Sequence, residues 1–303
     1  MDSNGTQRRE RTRRVAEEPR TGLLLRPSAS SAWVLLLLLV AGIARADTIE
    51  AIRVDSTGPL LDPQAMYWRK APAVTVTMLP QNIVAPTQPE AAVHGLQVKA
   101  AHNGQWFGLL LEWADPTQSD RIVVDQFGDQ IAIELPMHYD ANALPSPMMG
   151  NPGGRVSVMQ WRAAFQHDLE AGDPTTHSLY PYALVDTYPD EVLRASDARP
   201  YMGAVGLDNP ISHARRSAVL DQMAEGWGSM TVKPVQDADG RGIWKDGKWL
   251  VVISHPLWTG GDNDPDLRAG GASAVAFAVW DGGNREVGSR KAWAPWVTLH
   301  LAP

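Results

Sequence analysis

Apolar positions along this chain recur mostly with period 2. The segments AVTVTML (73–79), LQVKAAH (96–102), WFGLLLEW (106–113), QIAIEL (130–135), RVSVMQW (155–161), KWLVVISH (248–255), AVAFAVW (274–280) and WVTLHL (296–301) all read as strands. Asn103-Gly104 and Asp246-Gly247 separate adjacent runs and predict tight hairpins, because both residues of such a pair tolerate positive φ. Helical patterns are scarce. HARRSAVLDQMAEG (213–226) is the best candidate helix. Short strands with turn punctuation predict an all-β fold, an antiparallel β-sandwich with few short helices. Residues 165–210 are polar, aromatic and Pro-containing without a steady period, and read as a long insertion packed on the sandwich.

The first 46 residues have a different pattern. Arg8, Arg9, Arg11, Arg13, Arg14, Arg20 and Arg26 precede the apolar run SAWVLLLLLVAGIA, which ends at Ala-Arg-Ala, residues 44–46. A basic region, an apolar run and a small-x-small site predict a secretory signal peptide cleaved after Ala46. The run is short for a membrane span, so no stable membrane insertion is expected after cleavage. Residues 47–303 are then the folded domain, exported to the periplasm. The leader holds 8 of the 27 Lys and Arg and 4 of the 34 Asp and Glu, so residues 47–303 carry 19 basic against 30 acidic side chains, a net of −11. That charge argues against nucleic acid as a partner, which needs a basic surface. The chain has no cysteine, which excludes disulfides, Fe–S clusters, thiolate zinc sites and covalently attached haem.

Candidate chemistry is sparse. None of the eight histidines falls in a metal-binding spacing, and the nucleophile-elbow and phosphate-loop motifs are missing. The acidic run at Asp262–Asp266 lacks the spacing of an EF-hand and reads as a solvated loop. Trp227, Trp244, Trp249, Trp258, Trp280, Trp293 and Trp296 crowd the C-terminal third. Most read as core, since the ring buries a large area and suits strands, although exposed rings on a sandwich can also stack sugars. The loop PMMGNPGG (147–154) sets Met148 and Met149 against a glycine just before a strand. Methionine usually fills a core, but its thioether is also an axial ligand to haem iron.

The blocks AAHNGQWFGLLLEWADPT (100–117), PMMGNPGGRVSVMQWRA (147–163), AEGWGSMTVKP (224–234), GIWKDGKWLVVISHPL (242–257) and, most specifically, FAVWDGGNREVGSRK (277–291) resemble the ethylbenzene dehydrogenase gamma-subunit family. These are the haem b subunits of type II dimethyl-sulfoxide-reductase-family molybdoenzymes, with relatives in dimethylsulfide dehydrogenase, selenate reductase and chlorate reductase. The resemblance implies a β-sandwich holding one non-covalent haem b with a Met–Lys axial pair. By position Met149 matches the family's Met-Gly, with Met148 as the alternative. Lys291 matches its C-terminal Gly-x-Lys region, with Lys233 as the rival; without the resemblance, Lys291 would read as a surface lysine at a strand entrance. His102, His255 and His300 are the fallback ligands. The implied role is electron transfer without substrate chemistry, beside a molybdopterin catalytic subunit, an Fe–S subunit and a soluble periplasmic carrier. Two other classes remain: a carbohydrate-binding module, suggested by the tryptophans, and a stand-alone secreted hydrolase with a dispersed triad.

Overall fold

The computed structural model describes residues 48–172, 174, 176–183, 195–197 and 215–303. The expected signal peptide and much of the expected insertion lie outside the described residues. The alternating segments form β1 (Ile49–Arg53), β2 (Val74–Thr77), β3 (Leu79–Pro80), β4 (Gly95–His102), β5 (Trp106–Ala114), β6 (Gln130–Pro136), β7 (Val156–Arg162), β8 (Val219–Ala224), β9 (Thr231–Val232), β10 (Asp239–Lys245), β11 (Lys248–Pro256), β12 (Ala272–Trp280) and β13 (Ala292–Leu301). They make one curled sheet in the order β10-β11-β5-β4-β1-β13-β12-β6-β7-β8-β9, with β2 beside β4 and β3 beside β13. Both predicted hairpins form, joining β4 to β5 and β10 to β11. The pairing is antiparallel except at β1, which runs parallel to both β4 and β13 and seams the two halves.

The halves close face to face as a sandwich. Trp161 of β7 meets Trp249 of β11 edge-on, with ring centroids 5.0 Å apart, and Trp249 stacks on Trp113 of β5 at 6.3 Å. Trp113, Trp161 and Trp249 are buried, along with Ile131, Ile133, Leu135, Met159, Val275, Phe277 and Val279. Truncating a buried ring such as Trp161 to Ala should cost about 3–5 kcal/mol. Edge strand β10 carries Gly242 where that indole packs, and a Cβ there would run into the ring.

Helix α1 (Ala163–Ala171) begins directly after β7 and blunts the β10 edge. The Gln166 amide donates to the Gly242 carbonyl (2.8 Å) and accepts from the Gly242 N–H (2.6 Å). A four-residue helix, α2 (Thr176–Leu179), follows. The start of the expected insertion is therefore helical and is stitched to the sheet.

One expectation is overturned. Of residues 213–226, expected as a helix, 219–224 form strand β8, paired between β7 and β9. Five of its six residues are buried, so both faces of the strand are covered and its period-2 signal is lost. Pairing within the sheet overrides the local helical pattern. Among the described residues no helix is long and apolar enough to cross a membrane.

Candidate functional site

The strands β12, β6 and β7 turn one face to the core and the other to a cavity of about 510 Å³. The register sets its floor in three cross-strand rows, Trp280–Gln130–Arg162, Ala278–Ala132–Gln160 and Ala276–Glu134–Val158. Small residues hold the centre of this floor, so broad space stays open above the sheet. Pro147, Met148 and Met149 wall one side; Gly288, Lys291 and Trp293 are also part of the lining. The volume is that of a small-molecule or cofactor pocket.

Met149 occupies a backbone conformation that few non-glycine residues adopt, with φ +70°. The surroundings over-determine it. Its N–H donates to Glu134 Oε2 at 3.2 Å, and its carbonyl accepts the Gly226 N–H at 2.7 Å. The Gly150 N–H donates to the Ser146 carbonyl at 3.0 Å, and Trp296 Nε1 donates to the Pro145 carbonyl at 2.6 Å. Gly150 has φ +71°, and a Cβ there would collide with the Gly154 carbonyl oxygen. Met-Gly is thus a fixed corner, and the Met149 side chain packs against the cluster that includes Ala132, Val158 and Trp280. Strain held this firmly is characteristic of functional positions.

Lys291 lies just before β13, and its carbonyl accepts the N–H of the buried Gln81 at 3.1 Å. Gln81 Nε2 also donates to the Ser289 carbonyl at 2.9 Å, which anchors the segment from a second point. The Lys291 ammonium sits 4.9 Å from the centre of the Trp280 ring. Burial pulls its pKa down and the Glu134 carboxylate opposes that shift. Burial in turn pushes the Glu134 carboxyl up to about 7, against the Met149 N–H and the Lys291 charge. Glu134 Oε1 is buried with no hydrogen-bond partner.

A thioether from a rigid corner and an amine whose charge is disfavoured therefore line one cavity with apolar walls. These donors fit a flat iron macrocycle: one is soft, and the other can bind metal once deprotonated. A family model described as Ethylbenzene dehydrogenase matches residues 65–292. The chain belongs to the ethylbenzene dehydrogenase family. A Haloferax mediterranei protein named as a respiratory nitrate reductase heme subunit is 24% identical over 244 residues, covering 80% of this chain and 68% of the relative. The chlorate reductase subunit gamma of Ideonella dechloratans is 27% identical over 240 residues, 78% and 77% of the two chains. Among solved structures, a family 9 carbohydrate-binding module from Caldicellulosiruptor kristjanssonii with glucose aligns at TM-score 0.37 and 11% identity, over 84% of this chain and 95% of the module.

The other residues named from the sequence sit elsewhere in this ethylbenzene dehydrogenase family chain. Lys233 is 2% exposed on the core side of β7 and β8. Its ammonium lies 2.8 Å from Asp221 Oδ1, 2.6 Å from Asp264 Oδ1 and 2.9 Å from Ser157 Oγ. Ser157 and Asp264 accept hydrogen bonds from it, and Asp221 adds a buried carboxylate in ion-pair contact. His255 Nε2 joins the cluster, 3.5 Å from Asp264 Oδ1. His102 is buried on β4, outside the cavity lining. His300 is half exposed and lies 3.4 Å from Glu50. Trp227 and Trp258 are exposed, while Trp249 and Trp280 are buried.

Sequence reading did not single out Glu134, Gln160 and Arg162, because alternation separates the two faces of a strand without saying what covers the second. It also read Asp264 as part of a solvated loop, whereas that side chain turns inward to Lys233 and to Thr259 Oγ1, which donates to it at 2.6 Å. The signal for Glu134 was a lone carboxylate in an otherwise apolar strand, QIAIELP.

Proposed function

We propose that this chain is the haem b subunit of a molybdopterin oxidoreductase complex, passing single electrons between an Fe–S subunit and an external carrier and doing no substrate chemistry itself. The observation that carries this reading is the convergence of Met149 and Lys291 on one cavity, with Met149 locked at positive φ. The relatives named as a heme subunit and as a reductase subunit gamma support it. Haem b, when bound, supplies a one-electron ferric–ferrous couple. Met149 and Lys291 hold the iron. The thioether favours the reduced state, and the Trp280 ring packs against the Lys291 amine. Lys291 ligates as the neutral amine, the form that its burial favours. Met148, which lines the same cavity, is the alternative sulfur donor.

Export as a cleaved periplasmic protein belongs to the same proposal. N-terminal sequencing of the periplasmic form should begin at Asp47, and a full-length cytoplasmic product would contradict it. For the cofactor, the purified protein should give a b-type pyridine haemochrome with acid-extractable haem. A chain that stays colourless after incubation with excess haemin overturns the proposal. Glycan binding without a Soret band would favour the carbohydrate-binding reading instead.

A further inference from the structure

The cavity holds a second cation that the Met–Lys arrangement does not use. Arg162 ends β7 in the row Trp280–Gln130–Arg162, four strand residues along from the row of Glu134, whose carboxylate holds Met149. At about 3.3 Å per residue that is about 13 Å along the floor. Arg162 lines the cavity, and its Nε is buried without a hydrogen-bond partner. Among the described residues no carboxylate pairs with it. The neighbouring cation Arg215 does have an acid, Asp168 at 3.4 Å, and both guanidiniums flank the Phe165 ring, at 4.9 Å for Arg162 and 4.1 Å for Arg215.

Neutral amides fix the direction of Arg162. Gln160 Oε1 accepts from Arg162 Nη2 at 2.8 Å and from Gln222 Nε2 at 3.3 Å, while Gln160 Nε2 donates to Gln130 Oε1 at 2.8 Å. This chain of amides aims a guanidinium along the floor without neutralising it. Burial and the Arg215 charge both press on its charged form. A largely buried cation with no counterion is costly, and an anion that enters with a ligand removes that cost. A guanidinium is also the group best shaped to grip a carboxylate with two parallel bonds.

We propose that Arg162, aimed by Gln160, binds a propionate carboxylate of haem at the end of the cavity away from Met149. This inference rests on the haem reading. It makes the site two-ended: iron ligands at the Glu134 row and an anion clamp at the Gln130 row. Arg162 is then a binding and orienting residue that never touches the iron, and the clamp selects which way round the macrocycle enters.

The test compares haemin with haemin dimethyl ester, whose carboxylates are masked, in titrations of the full-length protein freed of haem and followed in the Soret band. The wild type should bind haemin at least about tenfold more tightly than the ester, the scale of one charge-assisted hydrogen bond. Arg162→Gln should bind both about equally, with an unchanged six-coordinate spectrum. Gln160→Glu keeps the shape and gives Arg162 an internal carboxylate, so it too should lose the preference for haemin. A circular dichroism spectrum checks that each variant is folded. If the variants keep the wild-type preference, or the wild type has none, the propionate clamp is wrong while the haem reading stands. If the wild type binds neither compound, the haem reading itself fails.

Discussion

Lys233 and Lys291 both reach the protein interior, and their surroundings differ in every other respect. Lys233 lies on the core side of β7 and β8 with Asp221, Asp264 and Ser157 around its ammonium. Lys291 lies over the outer face of β6 and β12, against an indole and across from one carboxyl, Glu134, that burial itself protonates more readily. Two carboxylates close on the first amine, whereas burial disfavours charge on the second. The same residue type thus serves as a structural ion on one side of the sheet and as a candidate ligand on the other. What decides between the roles is whether carboxylates meet the amine.

The largest effect should come from breaking the first environment. Lys233→Met leaves Asp221 and Asp264 buried without their cation and should destabilise the fold by about 3–5 kcal/mol in denaturant unfolding. Lys291→Met removes no ion pair and should cost much less in the haem-free protein. Equal losses for the two variants would erase the contrast. Next in size is the corner that presents the thioether. Gly150→Ala forces a side chain into positive φ and onto the Gly154 carbonyl, so about 1–3 kcal/mol should be lost. Haem affinity should fall with it, measured by Soret titration. Met149 itself already tolerates its φ through the bonds from Glu134 and to Gly226, so Met149→Leu should leave stability nearly unchanged while removing the sulfur.

A smaller effect on stability, with a large one on binding, is expected at the floor. Ala278→Leu puts bulk into open cavity space, so the unfolding free energy should move by no more than about 0.5 kcal/mol while haem uptake fails. Unchanged haem stoichiometry in that variant would place the macrocycle elsewhere. The smallest effect concerns acid. Burial alone would raise the Asp264 carboxyl, but hydrogen bonds from His255, Lys233 and Thr259 outweigh it and hold the group well below the ordinary carboxylate range. A carboxyl with a depressed folded-state pKa stabilises above the unfolded value near 4 and loses that contribution as pH falls below it. Between about pH 5 and pH 2 the wild type should therefore lose stability more steeply than Asp264→Asn; parallel curves would remove Asp264 from the cluster.

Much of the fold was legible because period-2 segments and Asn-Gly or Asp-Gly turns act locally. In QIAIELP the inward Ile131, Ile133 and Leu135 were readable from alternation alone. The outward Ala132 and Glu134 were not, because periodicity separates two faces without saying what covers the second. The same blindness hid Gln160 and Arg162, and it turned β8, covered on both sides, into an apparent helix. Met149 could be singled out from its Met-Gly pair, yet its positive φ comes from bonds to Glu134 and Gly226, residues 15 and 77 positions away in the chain. Lys233 and Lys291 could not be separated from sequence by physics, since their roles depend on acids contributed by other strands and loops.

The most direct test of the Met149–Lys291 site is carbon monoxide binding to the ferrous haem-loaded protein, read in the visible spectrum. The wild type should be low-spin, six-coordinate and slow to take up carbon monoxide. Lys291→Ala, with Met149 intact, should show high-spin character and bind it at once. A Lys291→Ala protein that stays six-coordinate and inert to carbon monoxide would contradict the assignment.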